Sequence, residues 1–316
     1  MKSRHTSRAK VSPFNVILFI GLLLLALSLV VPFLWGAMTS LKTRLDYNAE
    51  PLALPAVLNW QNYKDAFSEF KVTVEYGLGT RTYNMLGMAI NSVIYSLGGA
   101  LVQAFACALV AYAVAHFPKY KCSKLLYGIV IVTMVLPIVG SLPSELRILK
   151  SLGMYNTMLG LMFMKANFLG TYFLVFHAFF TAIPGNFLGT YFLVFHAFFT
   201  AIPGAYFEAA KLDGAGNFSI LRRIVLPMSK SMLFTVTLLN FLGNWNDYNV
   251  SLVYAPSYPT LAYGLYKFNL SNNPIINSVP HKMAGAMMLF IPILIIFCIF
   301  ADKLINSNLT MGGVKE

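Results

Sequence analysis

Residues 14–38 read FNVILFIGLLLLALSLVVPFLWGAM and carry no charged side chain. An apolar helix of about 20 residues is enough to cross the hydrocarbon core of a bilayer, so this run can span one. It is too long for the core of a signal peptide, although Lys2, Arg4, Arg8 and Lys10 precede it, and no A-x-A-like cleavage site follows. The sequence therefore predicts a retained first membrane span.

The rest of the chain repeats this apolar pattern. Of its 316 residues, 58% are hydrophobic and 11% are charged, whereas soluble chains average about 25% charged residues. This composition predicts an all-α fold: a polytopic membrane protein with about six transmembrane helices plus cytoplasmic coupling helices. The predicted spans are 14–38, 87–116, 125–142, 155–183, 228–253 and 283–301.

The positive charges indicate how these spans are oriented. Basic residues are densest before residue 14 and between residues 117 and 124, and such short basic segments face the cytoplasm. Both termini are therefore predicted to be cytoplasmic, in a multi-pass protein of the bacterial cell membrane. The same bias explains the net charge of +12, so nucleic acid is not a predicted partner. The predicted divisions are a cytoplasmic N-terminus (1–13), the first span (14–38), an extracytoplasmic segment (39–86), a core permease domain (87–301) and a cytoplasmic C-terminal tail (302–316).

One 19-residue sequence, NFLGTYFLVFHAFFTAIPG, occurs at 167–185 and again, unchanged, at 186–204. Each copy would rise about 28 Å as a helix, nearly one bilayer core. If both copies crossed, the chain after residue 204 would change sides and the charge bias would be lost. We expect one copy to complete the fourth span and the other to be an insert. His177 and His196 are interpreted as packing residues.

A polar loop follows the repeat, and residues 208–227 within it read EAAKLDGAGNFSILRRIVLP. We expect a short helix at about 206–212, a turn at Gly214 with positive φ, and a second helix with Asn217 as its N-cap. Phe218, Leu221 and Ile224 would form one apolar edge of the second helix. The pair Leu226–Pro227 is expected to end the unit before the fifth span.

This loop resembles the signature of permeases in binding-protein-dependent ABC importers: E-A-A, three residues, G, nine residues, I, any residue, L-P. The resemblance implies that loop 205–227 fits a cleft on a separate ATPase subunit, that Glu208 pairs with a basic residue there and that Gly214 shapes the turn. The coupling residues it implies are Glu208, Ala209, Ala210, Asp213, Gly214, Ile224, Leu226 and Pro227.

Outside the loop, the chain resembles the maltose-type sugar permeases in SLKT at 40–43, WNDY at 245–248 and TMGGVKE at 310–316. The resemblance implies a second homologous permease subunit, a homodimeric ATPase, an extracytoplasmic sugar-binding protein and membrane lipid as partners. It implies no cofactor bound by this chain, with ATP and Mg²⁺ used by the ATPase. The 19-residue repeat is a departure from the family pattern, and it puts normal assembly and coupling in doubt.

The predicted fifth span has a polar edge, because Asn240, Asn244 and Asp247 recur at helical spacing. They would either hold helices together by hydrogen bonds or face the substrate path as a gate. Asp247 would lie about 30 Å along the helix, near the outer surface. Trp245 and Tyr248 suit an aromatic belt.

Three other functions are less well supported. A secondary transporter would carry more charge in its spans, which hold almost no charge apart from Lys165. A membrane-embedded enzyme would need a catalytic motif, and the chain has no H-E-x-x-H, no G-x-S-x-G and no phosphate-binding G-x-x-x-x-G-K-[ST]. A permease impaired by its repeat remains open. Cys107, Cys122 and Cys298 indicate reduced thiols, and no metal site is expected.

Overall fold

The computed structural model describes residues 13–76, 79–116, 119–135, 142–166, 210 and 212–309. This part of the chain is mainly helical. Its α-helices are α1 Pro13–Ser40, α2 Arg44–Ala49, α3 Gln61–Glu69, α4 Met85–His116, α5 Lys121–Val135, α6 Leu142–Ser151, α7 Met158–Lys165, α8 Asn217–Ile220, α9 Leu226–Met228, α10 Lys230–Trp245, α11 Leu261–Asn269 and α12 Val279–Leu309. Two π-helical turns, Leu221–Val225 and Val250–Tyr254, lie before and after α10.

Three of the helices contain stretches long and apolar enough to cross a membrane. These stretches are Pro13–Ser40, Met85–Val114 and Val279–Ile296, and they confirm the first, second and sixth predicted spans as helices. In the third predicted span, α5 ends at Val135 and residues 136–141 lie outside the described part. The fourth span begins as a helix at Met158 rather than at 155, and both copies of the repeat lie outside the described residues.

The prediction that the fold is wholly α-helical is wrong in the segment between α1 and α4. Strands β1 (Val72–Tyr76) and β2 (Gly79–Tyr83) form an antiparallel pair. The physical reason is an alternation in β1: Val72 and Val74 are buried, whereas Thr73 and Glu75 are exposed. A pattern of period two with β-branched residues favours a strand over a helix.

The core of the membrane region is the contact between α4 and α10. One face of α4 carries only small side chains, and all of them are at most 2% exposed. They recur every three or four residues, which keeps them on one helix face and lets another helix approach closely. These residues are Ser92, Ser96, Ala100, Ala104, Ala108 and Ala111.

The chain forms two compact units. One comprises Met1–Glu69 and Phe268–Met288, and the other comprises Phe70–Lys267 and Leu289–Glu316. In the first unit, α1 meets the start of α12 where Gly36 faces the side chains of Met283 and Met287. The second unit holds the α4–α10 core and every described residue of the two candidate sites.

Candidate coupling loop and polar cluster

The loop at 210–228 is built around a left-handed turn at Gly214. Its φ is 77°, the positive value predicted from the sequence. The backbone N–H of Ala215 donates to the carbonyl of Ala210 at 2.9 Å. This bond, spanning five residues with a glycine in the left-handed region, is the Schellman arrangement that ends a helix. The first helix of the loop therefore ends at a turn that glycine adopts readily and that residues with a side chain rarely adopt.

The second helix of the loop differs from the prediction at its start. It begins at Asn217, and the carbonyl of Gly216 accepts the N–H of Ile220 at 3.1 Å. The residue whose carbonyl accepts the first helical bond is the N-cap. Gly216 therefore takes the N-cap position that was predicted for Asn217.

The buried edge of this helix also differs. Phe218 is 74% exposed, whereas Ile220 is fully buried against Tyr112 of α4. Ala210, Ala215 and Leu221 pack around this pair. The predicted edge of Phe218, Leu221 and Ile224 assumed an α-helical period, but the chain widens into a π-helix at Leu221. Residues two apart on an α-helix point about 200° apart, so the burial of Ile220 turns Phe218 away from α4.

The pair Leu226–Pro227 does not end the unit, contrary to the prediction. The N–H of Leu226 donates to the carbonyl of Leu221, a π-type bond across five residues. The helical path continues through Pro227 to Met228, turns at Ser229 and enters α10 at Lys230. A proline cannot donate a backbone bond, and the wide turn just before it accommodates the loss.

The outward face of the loop is apolar and basic. Leu212 is 89% exposed and Phe218 is 74% exposed, and Asp213, Arg222, Arg223 and Pro227 are exposed beside them. Ile224 and Leu226 are half-buried. The structure thus brings Ala210, Gly214, Ile224 and Leu226 together on one loop, while Glu208 and Ala209 lie outside the described residues. Large apolar side chains exposed on a loop mark a contact surface.

A second site lies at the far end of α10, where the predicted polar edge meets α4. Asn240 and Asn244 are 7% and 5% exposed. The amide nitrogen of Asn244 is 3.5 Å from the backbone oxygen of Ser96. The amide nitrogen of Asn240 has no hydrogen-bond partner within the described residues. Both asparagines are therefore interior groups, and Asn244 faces α4.

Asp247 lies beyond the helix, which ends at Trp245, so the prediction that all three polar residues share one helix face is wrong. Its Oδ1 accepts the backbone N–H groups of Asn249 and Val250, at 3.1 and 3.3 Å. These contacts, two and three residues ahead, are those of an N-cap. Asp247 starts a new helical turn, which is the physical reason for the break.

The other oxygen of Asp247 joins three segments. Oδ2 accepts the hydroxyl of Tyr95 at 3.0 Å and lies 3.7 Å from the ammonium of Lys165. The Lys165 ammonium is also 5.5 Å from the centre of the Tyr95 ring, within the range of a cation–π contact. A side chain at Gly99 would press on Asn244 and Lys165, at 3.1 and 3.2 Å, so the glycine permits this close approach. We name Tyr95, Lys165 and Asp247 the polar cluster.

A further hydrogen bond fixes the end of the same turn. Tyr254 donates to Glu145 of α6 at 2.5 Å, and Tyr254 lies just beyond the predicted fifth span. Burial, reinforced by the bond to Glu145, raises the pKa of Tyr254 to about 12. The phenol therefore keeps its proton near neutral pH and remains a donor.

Sequence reasoning missed Tyr95, Glu145 and Tyr254. One signal was available for the cluster, because Lys165 is a charge inside a predicted span and such charges find partners within the protein. Among the described residues, no group of three or more His, Cys, Asp or Glu side chains is placed to hold a metal. Cys107 is buried, whereas Cys122 and Cys298 are exposed.

The fold and the loop at 210–228 together define a polytopic helical membrane protein in which this loop is anchored to the helical core. The chain belongs to the family described as binding-protein-dependent transport system inner membrane component, which matches residues 104–307. It is a membrane transport component and not an enzyme.

Relatives of known name match most of the chain. The galactooligosaccharides transport system permease protein GanQ of Bacillus subtilis is 28% identical, over 97% of this chain and 98% of its own length. The diacetylchitobiose uptake system permease protein NgcG of Streptomyces coelicolor is 24% identical, over 90% of this chain and 84% of its own length. A chain in the crystal structure of a bacterial ABC transporter that imports the acidic polysaccharide alginate shares the fold. Its TM-score is 0.68 at 18% identity, covering 92% of this chain and 95% of that one.

Proposed function

We propose that this chain is the transmembrane permease subunit of an ABC importer that carries a sugar or oligosaccharide into the cell. Family membership supports the importer class. The relatives named for galactooligosaccharides and diacetylchitobiose support a carbohydrate as cargo. The observation that carries the proposal is the loop at 210–228, which has a fixed turn, an outward apolar face and a buried attachment to α4.

The partners follow from this class. A second homologous permease, a homodimeric ATPase and an extracytoplasmic sugar-binding protein would complete the importer, within a lipid bilayer. ATP and Mg²⁺ would be used by the ATPase, and this chain would bind neither. The bacterial cell membrane is the proposed location, with both termini in the cytoplasm. The proposed divisions are a cytoplasmic N-terminus (1–13), the first span (14–38), an extracytoplasmic segment (39–86), a core permease domain (87–301) and a cytoplasmic C-terminal tail (302–316).

The proposed coupling runs through packed contacts. The ATPase would push on Leu212 and Phe218, and on Glu208 and Ala209, which precede them in the sequence. Ile220 packs on Tyr112, so a push on the loop acts on α4. The same push acts on α10, because the helical path runs from Leu221 through Met228 and, after the turn at Ser229, into α10. Tyr95 of α4 and Asp247, which follows α10, meet at the polar cluster. Motion at the loop would therefore displace the far end of the core.

The polar edge has two proposed roles, and its geometry favours the first. Asn240 and Asn244 are nearly buried, and Asn244 lies against Ser96 of α4, as expected for a group that holds helices together. Asp247 is 27% exposed at its side chain, so a role in the substrate path is retained for this residue alone.

The loop assignment is tested by placing a charge on its apolar face. Phe218→Glu should abolish ATP-dependent uptake of a labelled oligosaccharide while the chain stays in the membrane, because a buried carboxylate would oppose docking. Phe218→Leu keeps an apolar side chain and should retain most uptake. Glu208→Lys should also abolish uptake. Wild-type uptake in both charged variants would refute the assignment, and loss of uptake on collapse of the proton gradient alone would favour a secondary transporter.

A further inference from the structure

The segment after α1 has an unusually apolar surface. Five large side chains between residues 51 and 60 are 56–81% exposed: Leu52, Leu54, Val57, Leu58 and Trp60. Residues 51–63 carry no charge. Exposed apolar side chains in such number mark a surface that meets another apolar phase or partner.

The length of helix α1 indicates how deep this segment lies in the bilayer. Every residue of 13–34 is exposed, and Phe14–Leu34 comprises 21 mostly apolar residues. Such a stretch rises about 31 Å as a helix, which matches a hydrocarbon core of about 30 Å. Trp35 therefore lies at the boundary between the acyl chains and the headgroups, where tryptophan is enriched.

Hydrogen bonds bring the apolar segment back to that level. The indole N–H of Trp35 donates to the carbonyl of Pro51 at 3.2 Å. Lys42, which is fully buried, donates to the carbonyls of Glu50 and Pro51 at 2.7 and 3.2 Å. The chain leaves again at Asn59, whose N–H donates to the carbonyl of Leu41 at 2.8 Å. The segment therefore starts at the level of Trp35 and ends near Leu41, beyond the apolar stretch of α1.

The backbone of this segment is also suited to an apolar environment, where unpaired polar groups are costly. Pro51 and Pro55 have no N–H to satisfy. The N–H of Ala56 donates to the carboxylate of Asp46 at 3.2 Å. The carbonyls of Glu50 and Pro51 already accept bonds from within the protein.

We propose that residues 51–60 form a lipid-contacting rim, which lies in the headgroup–acyl boundary of the leaflet around the C-terminal end of α1. The rim continues the apolar surface of α1 at the same depth, and this continuity selects lipid over a protein partner. The extracytoplasmic segment predicted for residues 39–86 is then partly a membrane-surface element. The proposal requires only that α1 spans the bilayer, and it is independent of the cargo and of the ATPase.

Spin labels on the full chain, purified with its associated subunits in nanodiscs of phosphatidylethanolamine and phosphatidylglycerol, test the rim. The exposed Cys122 and Cys298 are first replaced by serine, and the buried Cys107 is kept. A cysteine is then placed at Leu54, at Leu58 or, as the control, at Ser68, which is exposed on α3 of the same unit. Collision rates are measured with oxygen, which concentrates in lipid, and with a water-soluble nickel complex.

The ratio of oxygen to nickel collisions should be several-fold larger for Leu54→Cys than for Ser68→Cys, with Leu58→Cys between them. A ratio at Leu54→Cys equal to that of the control would place the segment in water and overturn the rim. Protection of Leu54→Cys from both reagents would also overturn it, because a protein partner would then cover the surface. Uptake is not the readout, so a failure of the proposed transport function would not affect the result.

Discussion

Gly214 is the residue on which the geometry of the coupling loop depends. Its φ is 77°, and a Cβ atom added to it would meet open space, so the requirement for glycine is conformational rather than steric. Placing an ordinary L-residue in the left-handed region costs about 1–2 kcal/mol. Gly214→Val should therefore distort the turn and reduce uptake sharply while membrane insertion is unchanged.

A variant at the same position supplies the control. Asparagine tolerates the left-handed region better than other residues with side chains, so Gly214→Asn should retain more uptake than Gly214→Val. Uptake assays on both variants, normalised to the amount of chain in the membrane, give the ranking. Equal uptake in the valine variant and the wild type would show that the turn is not needed for coupling.

Asp247 combines two functions that substitutions can separate. Asp247→Asn keeps an oxygen for the cap on Asn249 and Val250 but removes the charge that faces Lys165. Asp247→Ala removes both, and loss of an N-cap costs about 0.5–2 kcal/mol. The melting temperature of the purified complex should therefore fall in the order wild type, Asn, Ala.

Transport by the same variants shows whether Asp247 holds helices together or lies in the substrate path. If Asp247 holds helices together, uptake should follow the melting temperature through the series. An Asp247→Asn protein that melts like the wild type but fails to transport would assign the residue to the substrate path instead.

At the scale of elements, the small-residue face of α4 sets how closely α10 can pack. Ala104 is fully buried on this face, and adding bulk to a packed interior costs about 1–3 kcal/mol. Ala104→Leu should lower the melting temperature and weaken the α4–α10 contact. Ala113 is exposed on the same helix, so Ala113→Leu should have little effect. An Ala104→Leu protein that melts like the wild type would show that α4 and α10 are not closely packed at this position.

A helix or turn was predictable from the sequence where a single physical effect decides its conformation. Hydropathy over a long run is enough for α1, because lipid contact demands apolar residues on every face. Helical spacing alone gave a wrong prediction at Asp247, because its side chain competes with the backbone for hydrogen bonds and ends the helix. It also failed at Phe218, because Ile220, on the opposite side of this short helix, takes the buried position against Tyr112. The turn at Gly214 was predictable because only glycine adopts that conformation readily.

At the scale of the whole molecule, the tandem repeat is framed by two anchors on α4. Lys165 is held next to Asp247 and Tyr95, just before the repeat. Ala210 and Ala215 pack at Tyr112, just after it. Tyr95 and Tyr112 are 17 residues apart on one helix, a rise of about 26 Å. The two anchors therefore lie at different depths along α4.

One copy of the repeat is long enough to connect these two depths, since 19 helical residues rise about 28 Å. Two full crossings would return the chain to the level of Lys165, which contradicts the position of the loop beside Tyr112. We predict that removing one copy leaves loop 205–227 on its present side and maintains or raises uptake. Because the copies are identical, deleting 167–185 or 186–204 yields the same protein. A reporter fused after residue 227 should show the same sidedness in the parent and in the deletion variant, and a reversal would mean that both copies cross the membrane.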